Sequence, residues 1–383
     1  MKSYFPLAQL KILDRLLGFH VFMILVYYTY ASFNASDSAY YYTKVIINFR
    51  GPSWFDFYNT GTPFIEFVGW PFIKLLGVGY PGMMMLFGMF GYVGMVFFYL
   101  LFVENIRYKH AAYGYYLFPL IMFLPNMHFW SASFGKGSII LAGIGAFFLG
   151  LSRLKSRWVL VAFGLLIVYH VRPHIAFVLI AASGLSILLG SKGLPITQKI
   201  IAFFVLAVVF AFIYDRVFAY VGIYQDGMEG VEDVTGKFVY ELGKAGSSVD
   251  ISNYNLLQKM GTFLFRPLFF DANGALGLII SFENVFYVFL LFQAFKGGFL
   301  RFIWTTDFLT KTALFSFIAS AAALSQITAN LGIAIRMKSM IMFLFIFVMM
   351  KFLDYRKQQV HQALWRRHLK AKRMQERAMS LSS

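Results

Sequence analysis

The chain has 383 residues, 59% hydrophobic and 13% charged, with no cysteine and a net charge of +17. Soluble domains carry about 25% charged residues, so this composition and a mean hydropathy of +0.67 exclude an ordinary soluble enzyme, a disordered chain and a disulfide-stapled secreted scaffold. The absence of thiols excludes iron–sulfur clusters, thiol catalysis and cysteine zinc sites.

What remains is an all-α polytopic bundle, one integral membrane domain over 1–383. Apolar runs bounded by charge or turn signals predict about ten spans, within a range of about nine to twelve. The first run, 16–33, follows Lys2, Lys11 and Arg15 and has no small-residue cleavage site, so it reads as an anchor and not as a cleaved signal. His20 lies within it and is expected to hydrogen-bond a neighbouring helix.

The first outer loop, 34–81, carries Asp37, the aromatic run DSAYYY, Trp54, Asp56 and Glu66. A carboxylate at the membrane surface can take a proton from a hydroxyl or hold a divalent cation. Nothing in the spacing fixes a metal or cofactor. Tyr41 and Trp54 offer flat amphipathic faces for sugar rings, and the same aromatics suit a headgroup belt. Asn34-Ala-Ser36 matches a glycosylation sequon, which is meaningless in a bacterial host. Within the loop, 63–76 contains Glu66, two prolines and Lys74; it is too broken to span and reads as a re-entrant or interfacial helix.

The run 82–103 is the second span. Runs 111–125 and 137–151 are short, and their connector PNMHFWSASFGKG holds His128, Ser131, Ser133 and Lys136. Runs 158–171 and 175–190 together fall short of the roughly 40 residues that two full crossings need. Their turn, YHVRPH, carries His170, Arg172, Pro173 and His174 and should lie below the outer surface. Backbone turning at that depth must be buried in protein or line a wet cavity. Two short hairpins with cations at their tips thus predict an outward-facing cavity with short or re-entrant helices around it. The competing reading of Arg172 is snorkelling to headgroup phosphates.

After 200–218 comes a large outer loop, 219–274, whose acidic residues Asp226, Glu229, Glu232 and Asp233 read as a solvated face. It ends with Arg266 and Asp271, ahead of the run 275–295. The run 311–328 follows. Arg336 and Lys338 then stand at the outer start of 339–353, where interfacial anchoring is the competing account. The chain closes on a basic tail, 354–383.

An even number of spans puts both termini on one side. If that side is cytoplasmic, the whole +17 excess lies there, as the positive-inside rule requires. The basic composition is then explained without nucleic acid. The tail is expected to hug the membrane, with anionic lipid as its partner or, failing that, another assembly protein. Short inner loops and the lack of a P-loop exclude ATP-driven pumping by this chain alone.

The layout DSAYYY, then GTPFIEF, the connector HFWSASFGKGS, the RPH turn and late outer arginines resembles the Wzy-type polysaccharide polymerases, and more loosely the wider GT-C glycosyltransferases. Arg266 with Gly277 is similar to a motif of O-antigen polymerases. The large late loop of O-antigen ligases is not clearly matched. The resemblance implies transfer of a glycan from a polyprenyl-pyrophosphate carrier to an acceptor hydroxyl at the outer face of the bacterial inner membrane. Other polysaccharide assembly proteins would then be possible partners. On that reading Arg172, Arg266, Arg336 and Lys136 bind the pyrophosphate, since a guanidinium fork matches phosphate oxygens. Asp37 or His174 serves as base, and Tyr41, Trp54 and His128 contact sugar. The alternatives are a lipid-linked oligosaccharide or polysaccharide transporter without chemistry, and a non-catalytic envelope scaffold. A transporter usually carries paired discontinuous helices, and no such pairing is seen.

Overall fold

A computed structural model describes residues 7–112, 115–190, parts of 195–211, and 248–382 other than 252 and 273. The predicted loop 219–274 and the run 200–218 lie largely outside the described residues. Apart from a two-residue antiparallel β pair, Ala111–Ala112 with Tyr115–Tyr116, the described architecture is helical.

The helix α1 (Leu7–Phe33) is followed by α2 (Asp37–Ile46), α3 (Thr62–Trp70) and α4 (Tyr80–Asn105). Ser36 caps α2 by accepting from the Ala39 N–H, and Asp37 and Lys44 complement the helix dipole at its two ends. Pro63 sits in the first turn of α3, where its missing N–H costs nothing. Pro71 instead falls at the far end and opens a wide π-type turn, Pro71–Leu75. Helix therefore does form over 63–76, broken at the second proline.

The predicted third span is not one helix. Phe118 and Leu124 are extended, each directly before a proline, as the clash with the proline ring favours. The segment breaks into short turns, then α5 (Pro125–Ser131).

The core of the bundle is α6 (Lys136–Ser152), which is buried on every face from Ser138 to Leu151. It pairs with α7 (Leu154–Val171), and α8 (Pro173–Gly190) follows immediately. Small residues set the α6–α7 approach. A methyl group at Gly164 would lie 2.6 Å from both the Gly143 carbonyl oxygen and the Phe147 nitrogen, so only glycine permits this contact. The second half contains α9 (Leu256–Phe265), α10 (Gly274–Phe295), α11 (Phe299–Thr305), α12 (Phe308–Gln326), α13 (Leu331–Lys338) and α14 (Met342–Ser382).

Five described helices are long and apolar enough to cross a membrane, or six if α13 and α14, bent by 58°, form one span. Lys136–Ser152 and Pro173–Leu189 are apolar but shorter. The helices mark a membrane protein, but five or six is the number they support against an expectation of about ten. Three causes account for the difference: the 111–125 run is broken by its prolines, the runs near 137 and 175 give short helices, and the run 200–218 lies largely outside the described residues. The basic tail is also not a separate element. It continues α14 without a break, a 41-residue helix that would be roughly 60 Å long if straight, about twice the hydrocarbon thickness.

Candidate functional site

Charged side chains from six parts of the chain meet at one end of the bundle. Asp37, in the first turn of α2, forms an ion pair with Arg336, near the end of α13. The Tyr41 hydroxyl, one turn along α2, hydrogen-bonds with both Arg336 and Thr62. Burial, with the Asp37 carboxylate beside it, pushes the Tyr41 hydroxyl up to about 12, so it stays neutral and accepts from the Arg336 guanidinium. The face of the Trp130 ring lies 5.9 Å from the Arg336 guanidinium carbon, within cation–π range.

Lys136 opens α6 and feels the charges of Arg172, Arg336, Asp37 and Glu66. Arg172 occupies the break between α7 and α8, where its extended backbone lets Pro173 begin the next helix. The Arg172 residue is only 9% exposed. His174 follows in the first turn of α8 and lies within the field of Arg172 and Lys136. The YHVRPH turn is therefore a helix break at which Val171, Arg172 and Pro173 are buried in protein.

Glu66, in α3, is wholly buried and takes the Arg50 guanidinium at 2.5 Å. Its other oxygen, Oε1, has no hydrogen-bond partner among the described residues. The first loop is also tied down. The Gly61 N–H donates to the His170 carbonyl at 2.7 Å, and the Tyr58 hydroxyl donates to His170 Nε2 at 2.9 Å, since Nδ1 of that ring is engaged with the Leu166 carbonyl.

The group formed this way holds Arg50, Lys136, Arg172 and Arg336 against two carboxylates, Asp37 and Glu66. Asp37 and Arg336 are partly exposed, at 45% and 34%, so a ligand can reach the group from that side. Cations grouped in this way repel one another, and an anion placed among them would relieve that repulsion.

Of the nine residues singled out in sequence, Asp37, Tyr41, Lys136, Arg172, His174 and Arg336 come together here. Three do not. Arg266 forms an ion pair with Asp271, while its carbonyl accepts from Lys338 at 2.8 Å. Trp54 stacks on Phe67 at 4.8 Å and donates its indole N–H to the Phe67 carbonyl. His128 is fully buried, its Nδ1 2.8 Å from that of His20 and its Nε2–H donating to the Met122 carbonyl. A ring with no exposed surface has no face for a sugar. His20 in turn donates to the Gly88 carbonyl, so it does bind a neighbouring helix.

Arg50 and the buried Glu66 belong to the group and were not among the nine. Among the described residues, no cluster of three metal-ligating side chains occurs. Cavities of about 430 and 410 Å³ lie beside α14, away from this group. No protein-family model matches the chain, and no curated protein and no solved structure is detectably similar to it.

Proposed function

We propose that the protein is a membrane glycosyltransferase that polymerises glycan units carried on polyprenyl pyrophosphate, acting at the outer face of a bacterial inner membrane with both termini inside. The observation that carries this reading is the surplus, among the described residues, of cations over carboxylates around Arg172, Lys136 and Arg336, which come from separate elements at one end of an apolar bundle. A pyrophosphate leaving group needs that charge. Arginine forks can hold its oxygens and stabilise the charge that develops as the glycosidic carbon–oxygen bond breaks.

In this mechanism Arg172 and Lys136 hold the pyrophosphate, and Arg336 is shared between it and Asp37. The acceptor hydroxyl attacks the anomeric carbon and passes its proton to Asp37 or His174. Tyr41 keeps Arg336 in register by accepting a guanidinium N–H on a hydroxyl oxygen that stays protonated near neutrality. On this reading the ten spans include the short helices α6 and α8, the broken segment before α5, and the run 200–218.

The test is reconstitution of the purified protein in vesicles with a polyprenyl-pyrophosphate oligosaccharide. Chain growth with release of the carrier supports the polymerase. Movement of the unaltered lipid-linked oligosaccharide between leaflets, without elongation, would replace it with a transporter. A reporter active only in the cytoplasm, fused after Ser383, should be active; silence would overturn the orientation.

A further inference from the structure

We propose that the other end of the bundle holds a lipid-binding pocket that takes the net-negative phosphodiester headgroup of an anionic membrane lipid. A cavity of about 410 Å³ lies between the strap that follows α4, the end of α10 and α14. Three lysines line it, each from a different one of these elements: Lys109, Lys296 and Lys357. The rest of the wall includes Leu117, Phe289 and Leu353. A pocket that is cationic on one side and apolar on the other suits a headgroup with its acyl chain, the arrangement expected of specific anionic-lipid sites between helices.

The lysines are not cancelled by the acid beside them. Asp354 is taken by the Arg107 N–H at 2.6 Å, the Tyr108 N–H at 3.1 Å and His110 Nε2 at 2.6 Å. Its charge is thus directed at the strap backbone and one imidazole. Lys357 donates one hydrogen bond to the Lys109 carbonyl at 3.0 Å, which leaves two of its three donors for a ligand. Lys109 and Lys296 lie 5.4 and 5.9 Å from the ring centroids of Tyr116 and Phe292 and keep their donors for other partners. Asp354 pins the strap that carries Lys109, and Lys357 is tied to the Lys109 carbonyl, so two of the three cations are anchored before any lipid arrives, which lowers the ordering cost of binding.

This pocket is independent of the polymerase reading and stands or falls without it. The experiment is native mass spectrometry of the full-length protein, titrated with phosphatidylglycerol or phosphatidylcholine. Phosphatidylglycerol should be retained in preference. The double variant Lys109→Gln/Lys296→Gln should bind it about tenfold more weakly, whereas Arg366→Gln/Arg367→Gln, on the exposed part of α14, should bind as wild type. Equal losses in both variants would show diffuse attraction to the basic tail and overturn the pocket. Equal retention of the two lipids would overturn it as well. Inorganic phosphate should fail to displace the lipid, because it lacks the acyl chain that meets Leu117 and Phe289. Displacement would assign the cavity to free phosphate and reject the lipid. A monodisperse elution profile for each variant keeps folding out of the comparison.

Discussion

The two charged ends of the bundle solve different problems. Helix α4 runs between them: Tyr80, at its start, hydrogen-bonds with Ser38 beside Asp37, and the strap at its end binds Asp354. At the Asp354 end the buried acid is matched by donors, two of them backbone N–H groups that cannot move away. That is how a carboxylate staples a chain segment. At the Asp37 end the described acids are outnumbered by the described cations, and one oxygen of the buried Glu66 has no hydrogen-bond partner among the described residues. A satisfied network adds rigidity, and a network with surplus charge is completed by something else. If the proposed polymerase reading holds, the comparison separates residues that should matter for folding from residues that should matter for glycan elongation.

The largest expected effect tests the staple. Asp354→Ala removes the acceptor for two backbone donors and one imidazole and should cost about 3 kcal/mol of stability. Thermal unfolding in detergent measures it. Glycan elongation per folded molecule should stay near wild type. A large loss of turnover with unchanged stability would mean that this end carries chemistry and would break the comparison.

Next comes Arg172→Lys. A point charge cannot reproduce a guanidinium fork, so elongation should fall by one to two orders of magnitude, roughly 1.4–3 kcal/mol. Insertion and protein level should hold, because a cation remains in place. Wild-type chain lengths at wild-type protein level would return Arg172 to headgroup anchoring.

How legible these parts were in the sequence follows from what hydropathy records. It reports burial and says little of the path. The Arg172 turn was readable because Pro173 stops a helix and the flanking runs are too short to cross twice. Lys136 was readable for a similar reason. The Arg50–Glu66 pair was not, since it joins residues sixteen apart across an irregular loop that has no period. His128 sits in a polar connector, but α5 turns it inward on His20, a contact across 108 residues that no local pattern encodes. Composition alone reads the 111–125 run as a span, although Pro119 and Pro125 carry the signal against an unbroken helix. In α14 the switch from apolar to basic residues suggested a boundary. The absence of Gly and Pro from Met342 to Ser382 was the better guide to its continuity.

A third test lies between the two ends. Gly164→Ala would place a methyl group against the backbone of α6, where neither Gly143 nor Phe147 can yield by a rotamer change. The expected cost is about 1–3 kcal/mol of stability. Because α7 ends at the Arg172 break, elongation per folded molecule should drop too. Loss of stability alone, with full elongation, would show that the Arg172 turn is held by its own contacts and not by the α6–α7 packing.

The smallest effect should come from Tyr41→Phe, and it is the most selective. The substitution keeps the ring, which is 4% exposed, and removes only the hydroxyl that hydrogen-bonds with Thr62 and Arg336. A neutral hydrogen bond contributes about 0.5–1.5 kcal/mol, and one to a charged group somewhat more, so elongation should fall about fivefold. If Tyr41 positions Arg336, the loss should appear in the turnover rate with little change in apparent carrier affinity. If it instead touches sugar, affinity should fall and turnover hold. The hydroxyl titrates only near 12, because burial and the Asp37 carboxylate both oppose its ionisation. The ratio of wild-type to variant rates should therefore be flat across neutral pH. A ratio that changes with pH in that range would mean that Tyr41 exchanges a proton during the reaction, and would move it from positioning Arg336 to acting on the substrate.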